Sequence, residues 1–163
     1  MKTLLFYLIL LLSYVGFTQD NLDELLKKYN DQGVPYISVE ELASPETKAI
    51  LLDSREPKEY KTSHIRGATC IGYDNFNLDS IKKSYPNKDK KIVVYCSISI
   101  RSETIGEKLK KAGYTNVYNL YGGIFEWINQ GNTVVDSNGI TNATHAYDET
   151  WGIWLTKGRK VYD

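Results

Sequence analysis

The sequence is short of the residues that build metal sites and disulfide frameworks. Its 163 residues include two cysteines, Cys70 and Cys96, and two histidines, His64 and His145. None of these fall into paired Cys/His spacings, so no structural metal is expected. Net charge is also lacking: 20 Lys and Arg meet 20 Asp and Glu, which excludes a basic nucleic-acid scaffold. There are four prolines and no long Pro/Gly-rich or single-sign stretch, so the composition does not mark disorder. No internal repeat is visible. What remains is globular composition, 42% hydrophobic and 25% charged, at about one domain's length.

The amino terminus stands apart. Lys2 precedes an apolar run from Leu4 to Val15, and Gly16-Phe17-Thr18 leads to Gln19 with small residues one and three positions before the junction. Residues 1–18 read as a secretory signal peptide, since the run falls short of the roughly 20 apolar residues of a membrane span. No cysteine follows for lipid attachment. The expectation is a near-neutral, periplasmic or secreted chain with no stable membrane insertion once the signal is removed.

Behind Asp20 and Asn21, the residues Leu22, Leu25, Leu26 and Tyr29 recur at helical spacing, and Gly33 with Pro35 ends the pattern. Residues 19–35 therefore read as a leading amphipathic helix with its exit. Runs of strand length follow at Ile37–Val39, Ile50–Leu52, Ile92–Tyr95 and Val117–Leu120, with a weaker one at Ala68–Ile71. Helical or polar stretches separate them. The clearest follows Arg101, where Ile105, Leu109 and Ala112 share a face and Gly113 stops the run. Strands apolar at successive positions, such as Ile92–Tyr95, suit a parallel sheet covered on both faces, and the class is α/β. From residue 132 to 163 the chain becomes polar, then aromatic. Val134-Val135 ahead of Asn138-Gly139 predicts a hairpin, and Trp151, Trp154 and Tyr162 are too many rings for a solvated tail, so this extension should fold back on the domain. Asn142-Ala143-Thr144 forms a glycosylation sequon, which reads first as an ordinary surface loop.

One segment carries chemistry. Lys91-Ile-Val-Val-Tyr-Cys96 is a buried-looking strand ending in a thiol, and four residues separate that thiol from Arg101 and an amphipathic helix. Ligands of open α/β sheets bind at this strand end. A tight turn into a helix N-terminus aims backbone amides at the sulfur and favours the nucleophilic thiolate, while Arg101 offers forked donors for an oxyanion. On these residues alone Cys96 is equally readable as an inert core cysteine.

Five motifs, of which this segment supplies the fourth, shift the balance between these readings. Ile37-Ser-Val-Glu-Glu-Leu42, Leu51-Leu-Asp53-Ser-Arg55-Glu-Pro-Lys-Glu-Tyr60, His64-Ile-Arg-Gly-Ala68, Val93-Val-Tyr-Cys96 with Arg101-Ser102, and Ala112-Gly-Tyr-Thr-Asn-Val117 leading to Tyr121-Gly-Gly-Ile-Phe-Glu-Trp127 stand in order. Over residues 36–131 the chain resembles the rhodanese-like sulfurtransferases. The resemblance implies a five-stranded, mainly parallel sheet flanked by helices on both faces. It also implies that Cys96 accepts sulfur from a small anionic donor, holds it as a persulfide and passes it to a thiol or cyanide, with no cofactor and no nucleic-acid partner. The loop Ser97, Ile98, Ser99, Ile100 and Arg101 would bind the substrate, with hydroxyl donors from Ser97 and Ser99. Asp53 and Arg55 border that loop. Two readings stand for Arg55, a structural ion pair or a contact to the donor. His64 reads as fixing its own turn, and Gly122 and Gly123 as admitting a close turn before the last helix.

Two departures qualify the resemblance. Relatives commonly carry glycine where this chain has Ser99, and a positive φ there would strain serine by roughly 1 kcal/mol. Cys70 is a second thiol, but in the implied strand order it lies two spacings, roughly 10 Å, from Cys96, too far for a disulfide, so it reads as a plain buried thiol. The leading function is thus sulfur transfer through Cys96. A low-turnover binding or redox-sensing module is a second reading. A phosphatase or arsenate reductase of related fold is a third, disfavoured because four loop residues between Cys96 and Arg101 make a cradle one residue short for a larger tetrahedral oxyanion.

Overall fold

The computed structural model describes residues 21–163, so the signal-peptide reading of residues 1–18 lies outside the described residues. Two units are distinguished, the first ending at Asp31 and the second spanning Gln32–Asp163. In the first, residues 21–29 are helical (α1), and the last turn closes with Asn30 N–H donating to the Leu26 carbonyl at 2.9 Å.

The second unit alternates strand and helix: β1 (Tyr36–Ile37), α2 (Val39–Ala43), β2 (Ile50–Asp53), α3 (Pro57–Thr62), β3 (Thr69–Cys70), α4 (Leu78–Ser84), β4 (Ile92–Tyr95), α5 (Ile100–Lys111), β5 (Val117–Leu120) and α6 (Gly123–Asn129). Five strands form one sheet in the order β1-β5-β4-β2-β3, and every ladder in it is parallel. Right-handed crossovers then place α2 and α3 on one face and α4 and α5 on the other. The packing agrees: Leu52, Ile92 and Val94 of the sheet share a core with Ile81 of α4 and with Ile105 and Leu109 of α5. The four residues of β4 are all buried, as expected of the central strand in a doubly covered sheet. One sequence boundary shifts: Val39 belongs to α2, because the Ser38 side chain accepts from the Glu41 amide and caps the helix there.

The strand order reverses direction between β2 and β4. Their carboxyl ends diverge into loops on opposite sides and open a crevice at this switch point. Cys96 follows β4, and Asp53 ends β2, at its two borders.

The extension adds β6 (Val134–Asp136), β7 (Gly139–Thr141), β8 (Ala143–His145), α7 (Glu149–Gly152) and β9 (Arg159–Val161). β6 and β7 make the predicted antiparallel hairpin, and β8 pairs parallel with β9. The extension is stitched to the rest of its unit. His64 and Val135 exchange both backbone bonds at 2.9 Å, the Ser63 and Thr144 hydroxyls lie 3.2 Å apart, and Asn129 of α6 holds the Trp154 carbonyl and the Thr156 amide at 2.8 Å each.

Candidate active site

The loop Cys96–Ser99 is short because α5 begins at Ile100, and its shape requires Ser99 to adopt φ +75°, ψ 7°. A left-handed serine costs about 1 kcal/mol, and the structure offsets it: the Ser99 hydroxyl donates to the Leu120 carbonyl, while Asn119 Nδ2 donates to the Ser99 carbonyl at 2.9 Å. The strain expected at this position is present, and so is its compensation. From the other side, α6 aims its first amides at the loop. Ile124 N–H donates to the Cys96 carbonyl at 2.9 Å and Phe125 N–H to the Ser97 carbonyl at 3.1 Å, turning those carbonyls away from the crevice.

Cys96 is 1% exposed and free. Ser102, one turn into α5, places its Oγ 3.5 Å from Cys96 Sγ and 2.7 Å from Asn119 Oδ1. That hydroxyl has one proton, which goes to the amide oxygen or to a sulfur anion. In the sequence Ser102 stands beside Arg101 with nothing local to mark its contact, and Asn119 carries no signal; the i, i+6 spacing from Cys96 across a loop-to-helix turn is what points to the serine.

Arg101 does not stand free in the crevice. Nη1 and Nη2 donate to Glu59 Oε2 and Oε1 at 2.8 and 2.7 Å, and Nη2 also reaches Ser97 Oγ at 3.1 Å. Ser97 Oγ in turn donates to Glu59 Oε1 at 3.2 Å. Burial alone would raise the Glu59 carboxyl, and the Arg101 hydrogen bonds and charge override it, so the group is held below the ordinary glutamate range. The same pairing offsets the desolvation of Arg101 and keeps its guanidinium firmly charged. Glu59 was not anticipated. It comes from α3, and its approach is fixed by Glu56 N–H donating to Glu59 Oε2 at 3.0 Å in a capping box at the helix start.

Arg55 is fully buried and belongs to a different cluster. Its Nε and Nη2 bind Asp53 at 3.0 and 2.6 Å, and Nη2 donates to the Ser63 carbonyl at 2.7 Å. It is not among the residues lining the crevice: the contacts it makes are those of the ion-pair reading, not of the donor-contact one, and its Nη1 is buried without a hydrogen-bond partner. Asp53 also accepts the Arg55 amide at 3.0 Å. His64 likewise serves its turn: Nδ1 bonds the Tyr60 carbonyl at 3.0 Å, and its ring stacks on Tyr60 at 3.8 Å. Cys70 is half-buried rather than buried, and β2 lies between its strand and that of Cys96.

The crevice encloses about 180 Å³ and is lined by Cys96, Ser97, Ile98, Ile100, Arg101, Tyr147 and Trp151. Ser99, expected to contact substrate, is instead turned into the protein behind the loop. Tyr147 and Trp151 come from the extension, which thereby forms one wall of the pocket. Tyr147 takes φ +68°, its amide donates to His145 Nδ1 at 3.1 Å, and its ring lies 4.9 Å from the Arg101 guanidinium carbon. Among the described residues no cluster of side chains suited to a metal ion is found, and no helix is long and apolar enough to cross a membrane.

Residues 38–130 match the family described as the rhodanese-like domain. The uncharacterized protein YqhL of Bacillus subtilis is 36% identical over 101 residues, covering 61% of this chain and 76% of that protein. A tRNA uridine(34) hydroxylase of Onion yellows phytoplasma is 35% identical over 112 residues, 66% of this chain and 36% of the relative, so the chain spans about a third of that enzyme. Among solved structures, a rhodanese-related protein of Thermoplasma volcanium superposes with TM-score 0.51 at 27% identity, covering 62% of this chain and 97% of its own. The thiosulfate sulfurtransferase of Pseudomonas aeruginosa shares the fold with TM-score 0.58 at 22% identity, over 77% of this chain and 24% of its own.

Proposed function

The chain belongs to the rhodanese-like domain family, and on that footing we propose that it is a sulfurtransferase that carries a sulfane sulfur on Cys96. The observation that carries this reading is the position of one free thiol at the switch point of the sheet, on the wall of a small pocket, with the Ser102 hydroxyl 3.5 Å from its sulfur. In the proposed cycle the Cys96 thiolate attacks the outer sulfur of thiosulfate. The donor's S–S bond breaks with its electron pair leaving on sulfite, and Cys96 becomes a persulfide anion. Cyanide or a thiolate then takes the outer sulfur, producing thiocyanate or a new persulfide and returning the Cys96 thiolate.

The loop serves both halves of this cycle. Its backbone amides at the turn into α5 and the Ser102 hydroxyl would supply hydrogen bonds to negative sulfur in a site of low dielectric. Arg101, clamped by Glu59, fixes the floor. Written from the Cys96 thiolate, each step moves sulfur between anions and transfers no proton. We further propose export to the periplasm or medium after removal of residues 1–18, with small sulfur compounds as the partners.

The test is an intact mass of the purified, exported protein before and after thiosulfate, with peptide mapping. The expected result is a chain starting near Gln19 that gains one sulfur atom, about 32 Da, on Cys96 and loses it to cyanide. Cys96→Ser should fold and take up nothing. Sulfur uptake by Cys96→Ser would place the nucleophile elsewhere, and phosphate-ester turnover without sulfur uptake would replace the reading altogether.

A further inference from the structure

We propose, resting on the sulfur-transfer reading, that the substrates this site prefers are organosulfur compounds bearing an aryl or bulky alkyl group and at most one negative charge, rather than the inorganic dianion thiosulfate. The wall contributed by Tyr147 and Trp151 determines that preference.

Two independent features of the pocket lead there. The first is charge. Among the residues lining the cavity Arg101 is the one cation, and its positive charge is met at 2.7 and 2.8 Å by both oxygens of Glu59. Once Cys96 is a thiolate, the three groups sum to one negative charge. The loop amides and the start of α5 offset part of it, about half a charge for a helix terminus. A dianion is thus poorly complemented here, and a monoanion or neutral persulfide is not penalised in this way.

The second feature is shape and lining. Ile98, Ile100, Tyr147 and Trp151 line the half-open crevice beside the thiol with apolar surface over about 180 Å³, comparable with the roughly 150 Å³ of an apolar cavity that takes up benzene. The aromatic wall is held in place. Tyr147 is kept left-handed by the bond from its amide to His145, and His145 Nε2 reaches Asp163 at 3.0 Å. Asp163 in turn pairs with Lys58 on α3, the helix that supplies Glu59. Trp151 sits in α7, whose start is capped by Asp148 accepting the Trp151 amide at 2.9 Å. An inorganic donor with no organic group makes no use of this wall.

The chemistry balances without an outside oxidant or reductant. For a thiosulfonate R–SO₂–S⁻, the Cys96 thiolate attacks the terminal sulfur, the donor's S–S bond breaks with its electron pair on the sulfinate R–SO₂⁻, and the Cys96 persulfide anion forms. For an organic persulfide R–S–SH, the leaving group is the thiolate R–S⁻.

The experiment compares sulfur loading of Cys96 by benzenethiosulfonate, methanethiosulfonate and thiosulfate, each referenced to the donor's rate with free cysteine so that intrinsic reactivity cancels. The wild-type protein should prefer the phenyl over the methyl compound by about tenfold in kcat/KM, the gain expected of one buried apolar group, and thiosulfate should rank last. Trp151→Ala, and independently Tyr147→Ala, should each bring the phenyl-to-methyl ratio close to that of free cysteine, the ratio being read within each variant so that any change in overall loading rate cancels. Equal referenced rates for the three donors, or ratios unmoved by both substitutions in proteins with wild-type circular dichroism, would overturn the preference. A failure of every donor to load Cys96 would instead overturn the sulfur-transfer reading beneath it.

Discussion

Gly123 is pressed against the backbone of the Cys96 loop. A Cβ added to it would stand 2.7 Å from the carbonyl carbon and oxygen of Ser97 and closer still to the Cys96 carbonyl. Its φ of +60° adds a second reason for glycine, because a side chain in that region is strained by about 1 kcal/mol. The two effects share a cause: α6 must start close to the loop for its first amides to hold the Cys96 and Ser97 carbonyls. Gly123→Ala should therefore destabilise the protein by about 3 kcal/mol, overpacking and strain together, and should reduce sulfur uptake by displacing the loop. Urea unfolding measures the first, and a change below about 1 kcal/mol would show that the loop yields without cost.

Ser99 allows strain and compensation to be separated. Ser99→Gly removes the left-handed penalty and the hydroxyl bond to Leu120 together, two changes of about 1 kcal/mol and opposite sign, so its stability should stay within about 0.5 kcal/mol of wild type. Ser99→Ala keeps the strain and loses the bond, and should be about 1 kcal/mol less stable than Ser99→Gly. Thermal unfolding of the pair decides it; alanine as stable as glycine would mean the loop does not hold φ +75° in solution.

The Glu59 and Arg101 pair gives the site an acid limit. Burial pushes the Glu59 carboxyl up, but Arg101 outweighs it and holds the folded-state pKa below the unfolded value. The stability from this group is accordingly complete above the ordinary glutamate value of about 4.5 and is lost as pH falls through the lower folded value. Glu59→Gln leaves a buried cation with a weaker partner and should cost about 3 kcal/mol at pH 7. Plotted against pH, the difference between wild type and variant should be flat above about pH 5 and should narrow below it. A difference that widened with acid would reverse the assigned sign.

Much of this arrangement was legible in the sequence because it is local. The apolar run of β4, the thiol that ends it and the four-residue step to Arg101 are contiguous, and strand-like runs separated by helical ones mark the α/β class, while the strand order came only with the resemblance. The backbone problem at Ser99 showed only through the resemblance, in which relatives commonly carry glycine at that position. Glu59 is different in kind: it lies 42 residues from Arg101, on a helix whose exposed and buried faces are not told apart by a charged residue, and only the packing of α3 brings it to the loop. Arg55 stayed open between two readings for the same reason, since nothing in Asp53-Ser-Arg55 shows that the guanidinium turns inward onto Ser63. The aromatic extension was recognisable as packing material, but that Tyr147 and Trp151 reach the crevice depends on the β8–α7–β9 path, which carries no periodic signal.

Cys70 supplies the last prediction. Its strand is separated from that of Cys96 by β2, about two strand spacings or 10 Å, and a disulfide needs Cα atoms within about 7 Å. Burial pushes the Cys70 thiol above its ordinary value, outweighing a backbone hydrogen bond from Gly72 that favours the thiolate, and the sulfur also lies 3.8 Å from the Arg55 carbonyl, an acceptor that favours the protonated thiol. The native protein exposed to a mild oxidant should therefore form no Cys70–Cys96 bond. In the Cys96→Ser background, iodoacetamide at pH 7.5 should modify Cys70 at least several-fold more slowly than free cysteine, because little of it is thiolate and part of its surface is covered. Non-reducing mass mapping reads both results at once. A loss of two hydrogens with the two cysteine peptides joined would mean that the edge strand β3 detaches readily from β2, and that sulfur transfer at Cys96 is subject to a redox gate.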